Sequence, residues 1–253
     1  MPQISPKAIV EPGAKLADDV RVEAFCYVGP DVTVASGCVI ANNATVDGHT
    51  ELGERCRVFP LAVIGAAASG AAYAPHCRIG NANDIREHVT IYGGPEDRPT
   101  AVGNDNLVMI DSTVGASATL GDHCIVANLT HIGSGAEMDD YTHTSAFTQV
   151  ADGVRVGAYT FINGYATVDR NAPPFAMLHG SPFRVRGVNR HKLKACGFGE
   201  ADIRLLKEVF RDLFNGEGGD PRPEQLEALA GQHGDHPHVL RLLEALRPGA
   251  GTS

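Results

Sequence analysis

The sequence predicts an all-β fold, a parallel β-helix of six-residue repeats, followed by a small C-terminal α-helical domain. Three observations predict it. An aliphatic residue recurs every six positions over most of the chain, a small residue stands four places after each one, and the spacing turns helical beyond Val168.

The repeat runs through Val10, Leu16, Val22, Val28, Val34, Ile40, Val46, Leu52, Val58 and Ile64. It breaks near 66–78, resumes at Ile79, Ile85 and Ile91, and breaks again near 93–101. From Val102 it continues through Val108, Val114, Leu120, Val126, Ile132 and Met138, lapses at Thr144, and ends with Val150, Val156, Ile162 and Val168. A period of six fits neither the 3.6-residue turn of an α-helix nor plain strand alternation. A short strand plus a corner in each repeat points every aliphatic inward, and three repeats close one triangular coil of 18 residues. Stacked coils then pair their backbones as parallel sheets do.

A narrow interior corner accounts for the small residues, among them Ala14, Cys26, Cys38 and Ala44. Cys56, Cys77 and Cys124 take the same position, so these thiols are expected to be buried, reduced and packed as small hydrophobes. There is no CxxC, and neither a metal nor a cofactor is expected.

Beyond Val168 the proline-rich NAPPFAMLHGSPFRV reads as an exit loop, and the β-helix is expected over 1–178, with the helical domain over 179–253. VNRHKLKACGF predicts a short helix, and EADIRLLKEVFRDLF a longer one with an acidic first turn and an apolar stripe. GEGGDPRP reads as a loop, PEQLEALAG and HPHVLRLLEALR as two more helices, and PGAGTS as a frayed tail. His233, His236 and His238 are expected at the surface, as are His49, His88 and His123.

The formal charge of −9, from 21 Lys+Arg against 30 Asp+Glu, argues against a nucleic-acid protein. No apolar run approaches the roughly 18 residues of a membrane span, and the first ten residues have no signal-peptide character. A cytoplasmic protein is the expectation.

Several segments outside the bare repeat are more specific. V-D-G-H-T-E-L-G at 46–53, N-D-I-R-E-H-V-T-I at 83–91, V-G-N-D-N-L-V-M-I at 102–110, C-I-V-A-N at 124–128, the A-P-P-F exit and G-V-N-R-H-K-L-K-A-C-G-F at 187–198 resemble the UDP-N-acetylglucosamine O-acyltransferases of lipid A synthesis. The resemblance covers nearly the whole chain. It implies a left-handed β-helix, a homotrimer, active sites in clefts between subunits, and transfer of an acyl group from an acyl-carrier-protein thioester to a sugar hydroxyl. It also implies a histidine general base after the N-L-L-M-I-type segment, and here that position is Ala116. The companion histidine three residues earlier is Thr113. Two further family histidines fall on Gly135 and Ala151, a glutamine on Asp152, and two arginines on Ala195 and Cys196. Asn189 and Gly164 match family substrate-contacting positions, Gly164 being the glycine that limits acyl-chain depth. An alanine cannot take a proton, and general-base help is worth about 10²–10⁴-fold.

Replacements can be read from the register. His131 lies 18 residues after Thr113, one coil above it and pointing outward. His143 takes the same outward corner position in another repeat, and Asp111, Asp152 and Tyr92 are polar groups mapped nearby. A solvated surface histidine is the plain alternative for His131 and His143. Three readings stay open. The first is an acyltransferase on a nucleotide-activated amino sugar or related acceptor, with an acyl-carrier-protein or coenzyme A thioester as donor. The second is a non-catalytic paralogue that binds a nucleotide sugar or an acyl carrier. The third is a γ-carbonic-anhydrase-like hydratase with zinc between His131 and His143, although the tight histidine pair that reaction needs on one coil is missing.

Overall fold

The computed structural model describes residues 1–214 and 221–247. Most of GEGGDPRP and the PGAGTS tail, expected as a loop and a frayed end, therefore lie outside the described residues. The remainder is a left-handed parallel β-helix closed by four helices.

Each repeat is a two-residue strand followed by a four-residue corner. Three faces result. Face 1 starts at Gln3–Ile4, face 2 at Ile9–Val10 and face 3 at Lys15–Leu16, and each strand pairs in parallel with the one a coil above, as Gln3 does with Arg21 and Ile9 with Tyr27. The second residue of each strand points inward, so Val108, Val126, Ile132 and Ile162 are all fully buried. Cys26, Cys38, Cys56, Cys77 and Cys124 are buried and free, as the small corner position requires. Burial pushes the Cys77 thiol up to about 12, which keeps it protonated.

The corners turn through a left-handed backbone conformation at their third residue. Among the described residues sixteen other than glycine have positive φ, including Phe25, Asp111, His123, Tyr141 and Tyr165. That conformation is uncommon away from glycine. Here the stacked backbone bonds hold it, as where the Tyr141 N–H donates to the Asp122 carbonyl at 2.8 Å.

Thr144, the lapse in the aliphatic column, is fully buried. Its Oγ1 accepts the Ala127 N–H at 2.9 Å and lies 3.1 Å from Thr130 Oγ1, so the hydroxyl is satisfied inside the coil. The side chain intercepts a ladder bond, and the pairing of Ile125 with His143 does not extend to Val126 and Thr144.

At the upper end Phe175 is fully buried and plugs the last coil. Strands Ala176–His179 and Arg184–Val188 form an antiparallel hairpin that ends face 1. Four helices follow: α1 (Arg190–Ala195), α2 (Glu200–Phe214), α3 (Pro223–His233) and α4 (Pro237–Ala245). The apolar stripe of α2 buries Ile203, Leu206, Val209, Phe210 and Leu213. The histidines at the start of α4 depart from the surface expectation. His236 Nε2 lies 3.1 Å from Asp202 Oδ1, and the His238 ring sits 4.5 Å from that of Phe198 and 5.9 Å from that of Phe175. The His236 contact to Asp202 and the His238 ring packed on Phe198 help hold α4 on the coil top, a role that helical spacing alone does not reveal. His123 and His49 are exposed, as expected, and stack on Tyr141 at 4.7 Å and on His76 at 4.4 Å. Among the described residues no helix is long and apolar enough to cross a membrane.

Candidate functional site

Both breaks in the repeat leave the coil at the edge between faces 2 and 3. The first joins Val63–Ala67 to His76–Ile79 and the second joins Thr90–Gly93 to Thr100–Val102. Reciprocal backbone bonds of 2.7 and 3.1 Å between His76 and Gly94 tie the two together. The second loop closes in a tight turn, with the Arg98 N–H donating to the Pro95 carbonyl at 3.1 Å. It is pinned to the next corner: Ser117 Oγ donates to the Arg98 carbonyl at 2.8 Å, the Ser117 N–H donates to Thr100 Oγ1 at 2.8 Å, and Thr100 Oγ1 donates to the Tyr92 carbonyl at 2.6 Å.

Ala116 sits in that corner and is 8% exposed. Its carbonyl accepts the Gly135 N–H from the coil above at 2.8 Å. The Arg98 side chain lies over Gly135, with Nη2 3.5 Å from the Gly135 carbonyl oxygen. No imidazole stands at this corner.

His131 is on face 2, in register between Thr113 and Gln149. It is exposed, and no hydrogen bond or ion pair to its ring occurs among the described residues. The register places it in a strand, one step before the edge, and not in a corner as the repeat suggested. Tyr92 is half-buried where the face 2 strand runs into the pinned loop. Asp152 is at the same edge, but its Oδ1 accepts the Ser134 N–H at 2.8 Å. Asp122 and Asp140 bracket the coils beneath them in the same way, at 2.6 and 2.8 Å. One oxygen of Asp152 is therefore committed to backbone.

The other predicted residues stand elsewhere on the protomer. Asp111 is exposed at the edge between faces 1 and 2, with φ 57°. Gly164 shares that edge, where a Cβ would meet the Ala146 carbonyl at 3.0 Å. Beside it the Phe147 and Tyr165 rings stack at 4.9 Å. His143 is half-buried on face 1, edge-on to Phe161 at 5.1 Å. Burial, with the nearby Lys192 ammonium, holds its pKa below the usual histidine value. Asn189 is 6% exposed and internally engaged: Nδ2 donates to the Tyr159 carbonyl at 2.8 Å, and Oδ1 accepts the Lys192 N–H at 3.3 Å as the cap of α1. Tyr92, Ala116, His131 and Asp152 thus lie on face 2 or at its edge with face 3, on four successive coils, whereas Asp111, Gly164, His143 and Asn189 stand away from them within one chain.

Arg98 was missed. Its signal was present, because it is the only cation in the 93–101 insertion. A second feature appears only in three dimensions: between the hairpin and α2 a cavity of about 690 Å³ is lined by Arg186, Arg190, Arg204, Lys207 and Arg211, with one carboxylate, Glu208, around Phe210 and Phe214.

The chain's likenesses agree with this architecture. Residues 13–48 match the bacterial transferase hexapeptide model, and residues 172–251 match the second-domain model of UDP-N-acetylglucosamine O-acyltransferase. Acyl-[acyl-carrier-protein]--UDP-N-acetylglucosamine O-acyltransferase of Saccharophagus degradans is 42% identical over 96% of both chains. The enzyme of the same description from Thermodesulfovibrio yellowstonii is 32% identical over 96% of both. The crystal structure of UDP-N-acetylglucosamine acyltransferase from Francisella novicida superposes with a TM-score of 0.89 at 26% identity, covering 96% of this chain and 90% of that one. The chain belongs to the UDP-N-acetylglucosamine O-acyltransferase family.

Proposed function

We propose that this protein is a divergent acyltransferase that acts on a nucleotide-activated amino sugar or related acceptor, with an acyl-carrier-protein or coenzyme A thioester as donor. Its working form in this reading is a homotrimer whose clefts lie between face 2 of one subunit and face 1 of the next. The observation that carries the reading is the exposed, unpartnered His131 one strand from the corner of Ala116, the position that the family resemblance assigns to the base. Neighbouring strands lie about 4.8 Å apart, so an acceptor shifted by one coil is within its reach.

In the step this permits, an imidazole nitrogen of His131 takes the proton from the acceptor hydroxyl or amine. The acceptor oxygen or nitrogen attacks the thioester carbonyl, the C–S bond breaks, and the departing thiolate takes the proton back from the imidazolium. An amine that arrives deprotonated needs less of this help. Across the trimer contact, His143, Phe161 and Gly164 of a neighbour supply the apolar wall for the acyl chain. The cation-lined cavity beside α2 suits an acidic carrier protein, on a chain whose net charge is otherwise −9.

The test is His131→Ala. A fall in kcat of about 10²-fold or more, with melting temperature and oligomeric mass unchanged, is expected. Turnover at the wild-type rate removes His131 from the chemistry. One observation favours a second reading, a binding paralogue without turnover. The group that fills the vacated corner is a guanidinium, which holds anions and does not accept protons. Binding of UDP-sugars with no acyl transfer to any of them would select that reading.

A further inference from the structure

We infer that Arg98 is the anion-recognition residue of this cleft, and that Gly135 determines specificity by making room for it. The ligand class that follows is a substrate carrying a carboxylate or phosphate at the edge between faces 2 and 3. The nature of that substrate rests on the nucleotide-sugar reading above; the anion site itself does not.

Arg98 leaves a turn closed on Pro95, its carbonyl is held by Ser117 Oγ at 2.8 Å, and Pro99 follows it, which favours an extended backbone there. The loop is built into the coil on both sides, so the side chain is presented from a fixed point.

Several arginines of the coil pair with carboxylates: Arg57 with Asp84, Arg86 with Glu87 and Arg155 with Asp139. Glu96 and Asp97 directly precede Arg98, yet among the described residues neither pairs with it. Its one polar contact there is the Gly135 carbonyl at 3.5 Å from Nη2, which leaves most of its five donors open.

A Cβ built on Gly135 would lie 2.8 Å from Nη2, 3.4 Å from Cζ and 3.6 Å from Nη1 of Arg98, so a side chain here makes the flexible end of the arginine shift. The backbone alone does not demand glycine. Gly135 has φ +65°, but Ser117 at the same corner one coil below has φ 60°, and Asp111 and His123 occupy equivalent positions with φ 57°. The bare corner leaves the guanidinium its present place over Gly135.

A guanidinium is charged at every physiological pH and grips carboxylate or phosphate through two parallel N–H bonds. Beside the exposed His131, it fixes an anionic group so that a neighbouring hydroxyl or amine lies near the imidazole.

The experiment uses the full chain, wild type and Arg98→Ala, Arg98→Lys and Gly135→Ala. The Arg98 Nε–H resonance, assigned by its loss in Arg98→Ala, is followed by NMR while pyrophosphate and acetate are titrated. Affinities for UDP, UDP-N-acetylglucosamine and UDP-glucuronic acid are measured by calorimetry. Saturable movement of the Arg98 signal with either free anion is expected. A loss of about tenfold or more in nucleotide affinity is expected in Arg98→Ala and Gly135→Ala, with a smaller loss in Arg98→Lys. Melting temperatures should stay within a few degrees of wild type, which a purely structural arginine would not allow. An equal loss for all three nucleotides places the diphosphate at Arg98; a loss confined to UDP-glucuronic acid places a sugar carboxylate there. Movement with free anions but no binding of any nucleotide sinks the nucleotide-sugar reading and leaves the anion site standing. A signal unmoved by both anions overturns the inference.

Discussion

Replacing Val126 with aspartate puts a charge into the aliphatic column of face 1. Val126 has no exposed surface and pairs in register with Val108 below. Burial of a valine side chain is worth about 1.5–3 kcal/mol, all of which the substitution forfeits. The carboxylate then loses its hydration with no cation in the column, which costs several kcal/mol more or forces protonation. The sum, about 5 kcal/mol or more, is of the order of the whole stability of a typical domain. Val126→Ala calibrates the scale: two methyl groups at about 0.8 kcal/mol each plus a cavity give about 2–3 kcal/mol, or a melting point lower by roughly 5–10 °C. Gln149→Asp, at an exposed outward position beside buried Val150, should stay within about 0.5 kcal/mol of wild type. Circular dichroism melts and soluble yield measure all three. Val126→Asp should be insoluble or unfolded at 25 °C. A soluble Val126→Asp protein with an unchanged melting curve would show the inward register to be wrong.

Light scattering at micromolar concentration should give the mass of a trimer, and a monomer mass would remove the intersubunit cleft. Acid should destabilise the fold. Burial holds the pKa values of His143 and His238 below their ordinary 6.5, so the unfolded chain binds these protons more tightly than the folded one. Stability from this source is complete above pH 6.5 and falls as the pH drops below it, and His143→Phe should flatten part of that slope. Melting temperatures that stay level between pH 7 and pH 5 would refute the assignment.

The coil was legible because its two determinants are local and periodic. An inward aliphatic and a small corner residue repeat at fixed spacing, and both recur at Val126, Ile132 and Cys124 as expected. The left-handed corner residues were not legible, since Phe25, Leu61 and Tyr165 carry no sequence preference for positive φ; stacking between coils imposes it. The hydroxyl of Thr144 reads as a lapse in one dimension and as a satisfied buried acceptor in three. At the site, an 18-residue step placed His131 over Thr113 correctly. Asp111 was drawn to the same place by proximity in the repeat, though a corner residue can stand at any of three edges. Gly164 and Asn189 came from the family resemblance, and within one chain Asn189 caps α1 and holds the Tyr159 carbonyl. Arg98 depends on how an irregular loop folds back, which periodicity does not encode.

The proposal that this family fold carries an altered catalytic corner is tested most directly by acyl transfer from acyl-carrier-protein thioesters to UDP-N-acetylglucosamine, measured side by side with an ordinary family member. Turnover lower by at least about 10²-fold is predicted, because Ala116 accepts no proton. Ala116→His alone should not restore it, since the corner above is occupied by Arg98 over Gly135. Wild-type turnover within about tenfold of the ordinary enzyme would contradict the account.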